Sequence, residues 1–335
     1  MPDKRPIQNP HDALFRGVFG DPQRAAELLR SVMHDDLPAA DWSSLERIDA
    51  SFVDEELRDS QADLLFRAKV AARTCCFYIL FEHKAGPARF AMFQLMRYVV
   101  RIWEQCRADD PAATHLPLVL PILVHTGDGP WPSPSTLTEL LDAKGASAAL
   151  LAMQPTFTCK LFDLGATDET VLRRRRLAVQ TLLPLLHLQQ LRRQVATAAL
   201  LLAWRPLFLR LLAVPGGQQI MNRLCSYVAT VSNDDPKRVR AAYARISKTS
   251  EEQYMTIAEK LIQEGQREGQ RKGIREGQRK GLQQGVQLAM LTLIEQRFGS
   301  APPALVQVIE NSSTTEVDYW MRRILAAATL DELLA

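Results

Sequence analysis

The sequence predicts an α/β chain of the α+β kind, a mixed sheet with helices on it, followed by an all-helical second half. Three observations carry this. Residues 11–129 run in the order helix, three strand-like stretches, helix, strand. One of those stretches, TCCFYILF at 74–81, is continuously apolar and β-rich, the pattern of a central strand covered on both faces. From Asp168 onward the apolar residues recur at helical spacing.

Each element has its own signal. Leu14, Phe15, Val18 and Phe19 repeat as one face of a helix. Asp21-Pro22 then opens a second helix, with proline suited to the first turn, and Ala25, Leu28, Leu29 and Val32 line it. Residues 45–53 make a short, mixed strand. Residues 62–70 (ADLLFRAKV) and 74–81 are joined by Ala71-Ala72-Arg73, a link short enough for a hairpin. A helix over 89–107 presents Phe90, Phe93, Val100 and Trp103 as its apolar face. The stretch LPLVLPILVHTGDG at 116–129 is a buried strand ending in a glycine turn. Residues 172–191 and 195–212 are two long helices, each with an internal proline. The Arg173–Arg176 run reads as a solvated face near a helix start.

The plainest repeat is EGQREGQRKGIREGQRKGLQQG at 264–285, with glycine every four residues from Gly265 to Gly285. Each glycine costs a helix up to about 1 kcal/mol. Two readings stand: a helix whose glycine ridge admits another backbone, for self-association or a partner, or a flexible polar linker. Residues 288–335 regain a core pattern and read as a small three-helix unit, with Gly299 as a helix C-cap ahead of Pro302-Pro303.

Composition excludes several classes. The chain of 335 residues is 47% hydrophobic and 24% charged, an ordinary globular balance. A net charge of +3 permits nucleic-acid binding without arguing for it. The five cysteines form no CxxC pair, so free thiols in a reducing compartment are expected rather than disulfides or structural zinc. The most apolar stretch, 196–214, is broken by Arg205, Pro206 and Arg210, so no membrane helix is expected and a soluble, cytoplasmic chain is. There is no P-loop and no G-x-S-x-G elbow.

The chemistry concentrates on the strands. Asp63 begins one strand, and Glu82 and Lys84 end the next, sharing a face at i, i+2. Two carboxylates at a sheet end make a hard oxygen site suited to Mg²⁺. The lysine can orient a water, help deprotonate it and stabilise phosphate charge. On the following helix Gln94 and Tyr98 share a face at i, i+4, where either can hydrogen-bond a phosphate or the lysine. Among other candidates, His11-Asp12 can reach the site but reads better as exposed polar residues at a helix start. His125 reads as structural and Trp131, between prolines, as a loop anchor.

With Gln94-xxx-Tyr98, this order resembles the PD-(D/E)XK nuclease superfamily. More closely, the chain resembles the recombination-promoting nucleases, also called YhgA-like transposases. The resemblance rests on HDALFRGVFGDP (11–22), DASFVDEELRDSQADLLF (49–66), FEHKA (81–85), FQLMRYVVRIWE (93–104), LPLVLPILVHTGDGPW (116–131) and the glycine repeat. The C-terminal segment, with RFG at 297–299 and TLDELL at 329–334, resembles a small domain often appended to such proteins.

The resemblance implies a restriction-endonuclease-like core and a nuclease domain at 1–165. It also implies a helical domain at 166–255, a glycine-repeat helix or linker at 256–287 and a small helical domain at 288–335. Asp63, Glu82 and the backbone carbonyl of His83 would hold Mg²⁺, Lys84 would act on the water, and Gln94 and Tyr98 would support the site. The family's proline before the first aspartate is Ala62 here, and many members carry glutamine where Lys84 stands. The implied activity is metal-dependent DNA cleavage promoting recombination or mobile-element activity, by a homo-oligomer formed through the helical half. The alternative is a catalytically inactive nuclease fold acting as a scaffold. A strand-transferring transposase would need a third carboxylate, and none is convincing in this sequence.

Overall fold

A computed structural model describes residues 9–34, 36–37, 40–48, 64–70, 73–82, 88–127, 129–191 and 196–334; within 73–82 it describes the backbone and the side chain of Phe77. The chain divides into two compact units, Met1–Ala258 and Glu259–Ala335.

The first unit opens with helices α1 (Pro10–Phe19) and α2 (Pro22–Met33). Asn9 and Asp21 cap them, each accepting from a backbone N–H of the first turn, and Pro10 and Pro22 supply the fixed φ that a first turn tolerates. The expected face of α1, Leu14, Phe15, Val18 and Phe19, is buried.

Strands β1 (Ala40–Ile48), β2 (Leu64–Val70), β3 (Arg73–Glu82), β4 (Leu118–His125) and β5 (Lys160–Asp163) form one sheet in the order β1-β2-β3-β4-β5. The first three are antiparallel, and β3, β4 and β5 run parallel. This is the mixed sheet expected. The hairpin is present, with Val70 paired to Arg73 and Leu64 to Ile79, and β3 is central. Two strands differ from expectation. β1 begins at Ala40 rather than 45, as a half-exposed edge strand whose polar residues hide its period; the expected residues 49–53 lie outside the described ones. β5 was not expected: KLFD is short and half polar, and it is a strand because β4 offers it an edge.

Helix α3 (Ala91–Asp109) covers one face of the sheet. It buries Met92, Leu95, Tyr98 and Ile102 against Leu65 and Leu123. The expected face was wrong: Phe90, Phe93 and Val100 are exposed, and Trp103 bonds the Pro117 carbonyl at 2.9 Å. The 92-95-98-102 spacing is the stripe that packs, and the bulkier aromatic residues lie beside it.

The opposite face, through Leu64, Phe66, Phe77, Ile122, Val124 and Phe162, shares one core with α1, α2 and the helices after the sheet. The expected helix over 172–191 is two, α5 (Glu169–Arg174) and α6 (Val179–Gln190), divided at Arg176, whose φ is +53°. Between β4 and α5 lies a short helix, α4 (Ala148–Ala152). α6 is buried on nearly every side and tolerates Pro184. Its N-terminus has no cap of its own; Glu27 of α2 supplies one, accepting from the Ala178 N–H at 3.0 Å and from the Thr181 hydroxyl.

The helix expected over 195–212 is also two, α7 (Thr197–Ala203) and α8 (Arg205–Leu212). Pro206 is therefore in a first turn, not internal. Helices α9 (Gly217–Val231) and α10 (Pro236–Ile246) complete this unit with the start of α11 (Lys248–Phe298). The arginine run is not merely solvated. Arg175 lies 5.0 Å over the Phe162 ring and donates to Ser31, while Arg173 pairs with Glu169 at 2.7 Å.

In the second unit the glycine repeat is helix throughout, within α11. A methyl group added at any glycine from Gly265 to Gly285 would meet nothing within 4 Å. Beyond it, α12 (Pro303–Asn311), α13 (Thr314–Arg323) and α14 (Leu330–Leu334) close a small core of Met290, Ile294, Leu305, Ile309, Val317 and Leu333 against the end of α11. Ser313 and Glu316 form a capping box on α13. Gly299 follows α11 at φ +86°, the left-handed conformation expected of its C-cap. Among the described residues no helix is long and apolar enough to cross a membrane.

Candidate active site at the end of the central strand

Glu82 is the last residue of β3, as the sequence reading placed it, and its backbone is registered against His125, the last residue of β4. His125 is registered in turn against Asp163, the last residue of β5. Three parallel strands therefore end in one row, Glu82, His125 and Asp163. Strand ends of this kind are where open sheets carry their chemistry, because the loops beyond are free to differ while the ladder stays fixed. Asp63, His83 and Lys84, the other expected site residues, lie outside the described ones.

The expected helix pair is formed. Gln94 donates from Nε2 to the Tyr98 hydroxyl oxygen at 2.9 Å, across one turn of α3. Tyr98 is 1% exposed and packs with Leu65, Leu95 and Leu123. Its ring is thus fixed by apolar contacts while its hydroxyl remains in a polar contact. The pair sits on the helix that covers the Leu65–Leu123 face of β2 and β4.

His125 and Asp163 brace the site's edge. His125 is buried and meets Trp131 edge-on at 5.1 Å. Asp163 accepts from the Trp131 N–H at 2.7 Å and the Ala166 N–H at 3.0 Å, closing the turns after β4 and β5 on each other. Trp131 is the loop anchor the sequence suggested, and its indole N–H donates to the Pro134 carbonyl. Gly165 fits because a Cβ there would lie 2.2 Å from the Gly127 carbonyl oxygen. Gln189 of α6, buried, donates to the carbonyls of Leu164 and Thr167 from below. Asp163 was missed in the sequence because β5 was missed. The signal is the apolar pair Leu161 and Phe162 running into Asp163 and the Gly165 turn.

His11 is not at this site. Its ring meets Tyr227 of α9, with Nδ1 2.7 Å from the tyrosine hydroxyl. Among the described residues no three His, Cys, Asp or Glu side chains converge as a metal site. Cys106, Cys159 and Cys225 are free thiols, as expected; burial pushes Cys225 up to about 12 and Cys159 to about 11, so both stay protonated and inert.

A family model described as "Putative transposase, YhgA-like" matches residues 9–211, and the chain belongs to that family. Over 178 residues, 52% of this chain, it is 32% identical to the recombination-promoting nuclease RpnD of Escherichia coli O157:H7, covering 66% of that protein. It is 27% identical over 183 residues, 54% of this chain, to the recombination-promoting nuclease RpnA of Escherichia coli K12, covering 61% of it. The inactive recombination-promoting nuclease-like protein RpnE of the same strain is 26% identical over 179 residues, 52% of this chain and 58% of that protein. The chain thus spans less than two thirds of each of these relatives. No solved structure matches it.

Proposed function

We propose that the chain is a metal-dependent DNA endonuclease with a restriction-endonuclease-like core, working in the cytoplasm in recombination or mobile-element activity. One observation carries the reading. β2 and β3 pair so that Leu64, joined directly to Asp63, and Glu82 belong to the same end of the sheet, with the bonded Gln94–Tyr98 pair on the helix over it. The family relatives named as nucleases supply the class of activity.

The donor set fits a hard divalent cation. Asp63, Glu82 and the His83 carbonyl offer only oxygen, which suits Mg²⁺ and not a soft metal. Bound there, Mg²⁺ supplies a lowered water pKa and neutralisation of phosphate charge. Lys84 orients the attacking water, helps remove its proton and offsets charge on the phosphate. Gln94 and Tyr98 accept from the lysine through their oxygens or donate to a phosphate oxygen. Hydrolysis then leaves a 5′-phosphate and a 3′-hydroxyl. A homo-oligomer through the helical half would set two sites on the two strands of a duplex. Its test is light scattering; a monomer that still makes double-strand breaks contradicts it.

The inactive relative favours one second reading, a nuclease fold that no longer cuts and acts as a scaffold. Cleavage of plasmid DNA with Mg²⁺, by the wild type but not by Asp63→Ala or Lys84→Ala, separates the two readings.

A further inference from the structure

The four-residue repeat divides α11 into columns. At 3.6 residues per turn each column advances about 40° and rises about 6 Å per repeat, and residues two apart lie about 200° apart. Arg267, Arg271, Arg275 and Arg279 therefore run down the side opposite the glycines. All four are exposed, and none joins an ion pair among the described residues. The column beside them largely neutralises itself: Lys272 pairs with Glu268 at 2.8 Å, Glu276 and Lys280 share that spacing, and Glu264 is the one carboxylate in excess. Arg173 and Arg175 of the first unit, by contrast, are engaged by Glu169, Ser31 and Phe162.

We propose that this arginine ridge grips the phosphate backbone of duplex DNA, as a sequence-independent contact separate from the cleavage site. The identity of the anion as DNA rests on the nuclease reading above. The charge geometry fits it. Guanidinium forks match phosphate oxygens two at a time. Successive arginines rise about 6 Å along the helix while the column winds about 40° per step, a spacing on the scale of neighbouring phosphates, about 3.4 Å of axial rise per nucleotide. A membrane surface fits poorly, since it needs an apolar face opposite the basic one, and that side here is glycine.

The test is binding of a fluorescent mixed-sequence duplex to the full chain by anisotropy, in EDTA so that nothing is cut, across a salt series. Replacing all four arginines with glutamine, a comparable helix former, should make the slope of log K against log salt shallower by about 3.6, at 0.9 per phosphate contact. Between 50 and 200 mM salt the variant should then lose about 150-fold less affinity than the wild type. The four-lysine variant should keep most of the slope. An unchanged slope and affinity in the glutamine variant, with helix content intact by circular dichroism, would overturn the proposal. So would stronger binding to phosphatidylserine vesicles than to the duplex, abolished by the same change. Asp63→Ala should bind with the wild-type slope. If cleavage fails while the slope still responds to the arginines, the nuclease reading falls and the ridge stands.

Discussion

Acid should destabilise the first unit through one side chain. His187 of α6 is fully buried, 5.0 Å from the Trp204 ring and 5.7 Å from Phe208. Its Nδ1 lies 2.8 Å from the Leu183 carbonyl, the geometry of a neutral imidazole donating from that nitrogen. Its Nε2 has no hydrogen-bond partner among the described residues, so a second proton would place a charge among aromatic rings. Burial accordingly lowers its pKa from 6.5 to about 4, against the smaller opposite effect of the Leu183 bond. The folded state holds the ring neutral, and the unfolded state takes up a proton below pH 6.5. The stability present above pH 6.5 is therefore lost as pH falls toward 4, and no more is lost below that.

At 1.36 kcal/mol per unit the full window is worth about 3 kcal/mol, and the part between pH 6.5 and 5 about 2 kcal/mol. Urea unfolding of the wild type and His187→Leu at about pH 7.5 and about pH 5 reads this difference directly. The wild type should lose about 2 kcal/mol more than the variant over that interval. Parallel losses in the two proteins would refute a neutral buried His187.

Other perturbations follow from named contacts. Glu27→Ala removes the side-chain cap on α6 and should cost about 1–2 kcal/mol by thermal or urea unfolding. Gly165→Ala drives a methyl group into the Gly127 and Gly129 carbonyls and should cost about 1–3 kcal/mol by the same assay. Tyr98→Phe removes the acceptor for Gln94, costing about 1 kcal/mol, and should slow DNA cleavage without moving the metal requirement. Changing Gly269, Gly273 and Gly277 to alanine meets open space in this chain, so helix content and thermal stability should rise by up to about 1 kcal/mol per site. Loss of self-association in the same variant, by light scattering, would show that the glycines admit a second backbone.

Long, strongly patterned elements were legible in the sequence. The β2–β3 hairpin, the central position of β3 and the Asp21-Pro22 start of α2 follow from local chemistry that tertiary contacts then reinforce. Glu82 at a strand end and the shared face of Gln94 and Tyr98 were legible for the same reason: strand and helix periods fix which positions coincide, though the bond between the two side chains was not expected. What escaped depended on neighbours. β5 exists because β4 has a free edge. α3 turns its 92-95-98-102 stripe inward because Leu65 and Leu123 wait there, although its bulkiest residues lie on another side. Arg176 breaks what periodicity alone reads as one helix. The glycine repeat left helix and linker open, since propensity opposes helix; the structure makes it helix, within the span of α11.

The most direct measurement is conversion of supercoiled plasmid by the purified full chain with Mg²⁺, beside Asp63→Ala, Lys84→Ala and an EDTA control. Nicked and linear products, ending in 5′-phosphate and 3′-hydroxyl, are expected from the wild type alone. Cleavage by both variants at the wild-type rate, or none by a folded wild type with Mg²⁺, would contradict this expectation.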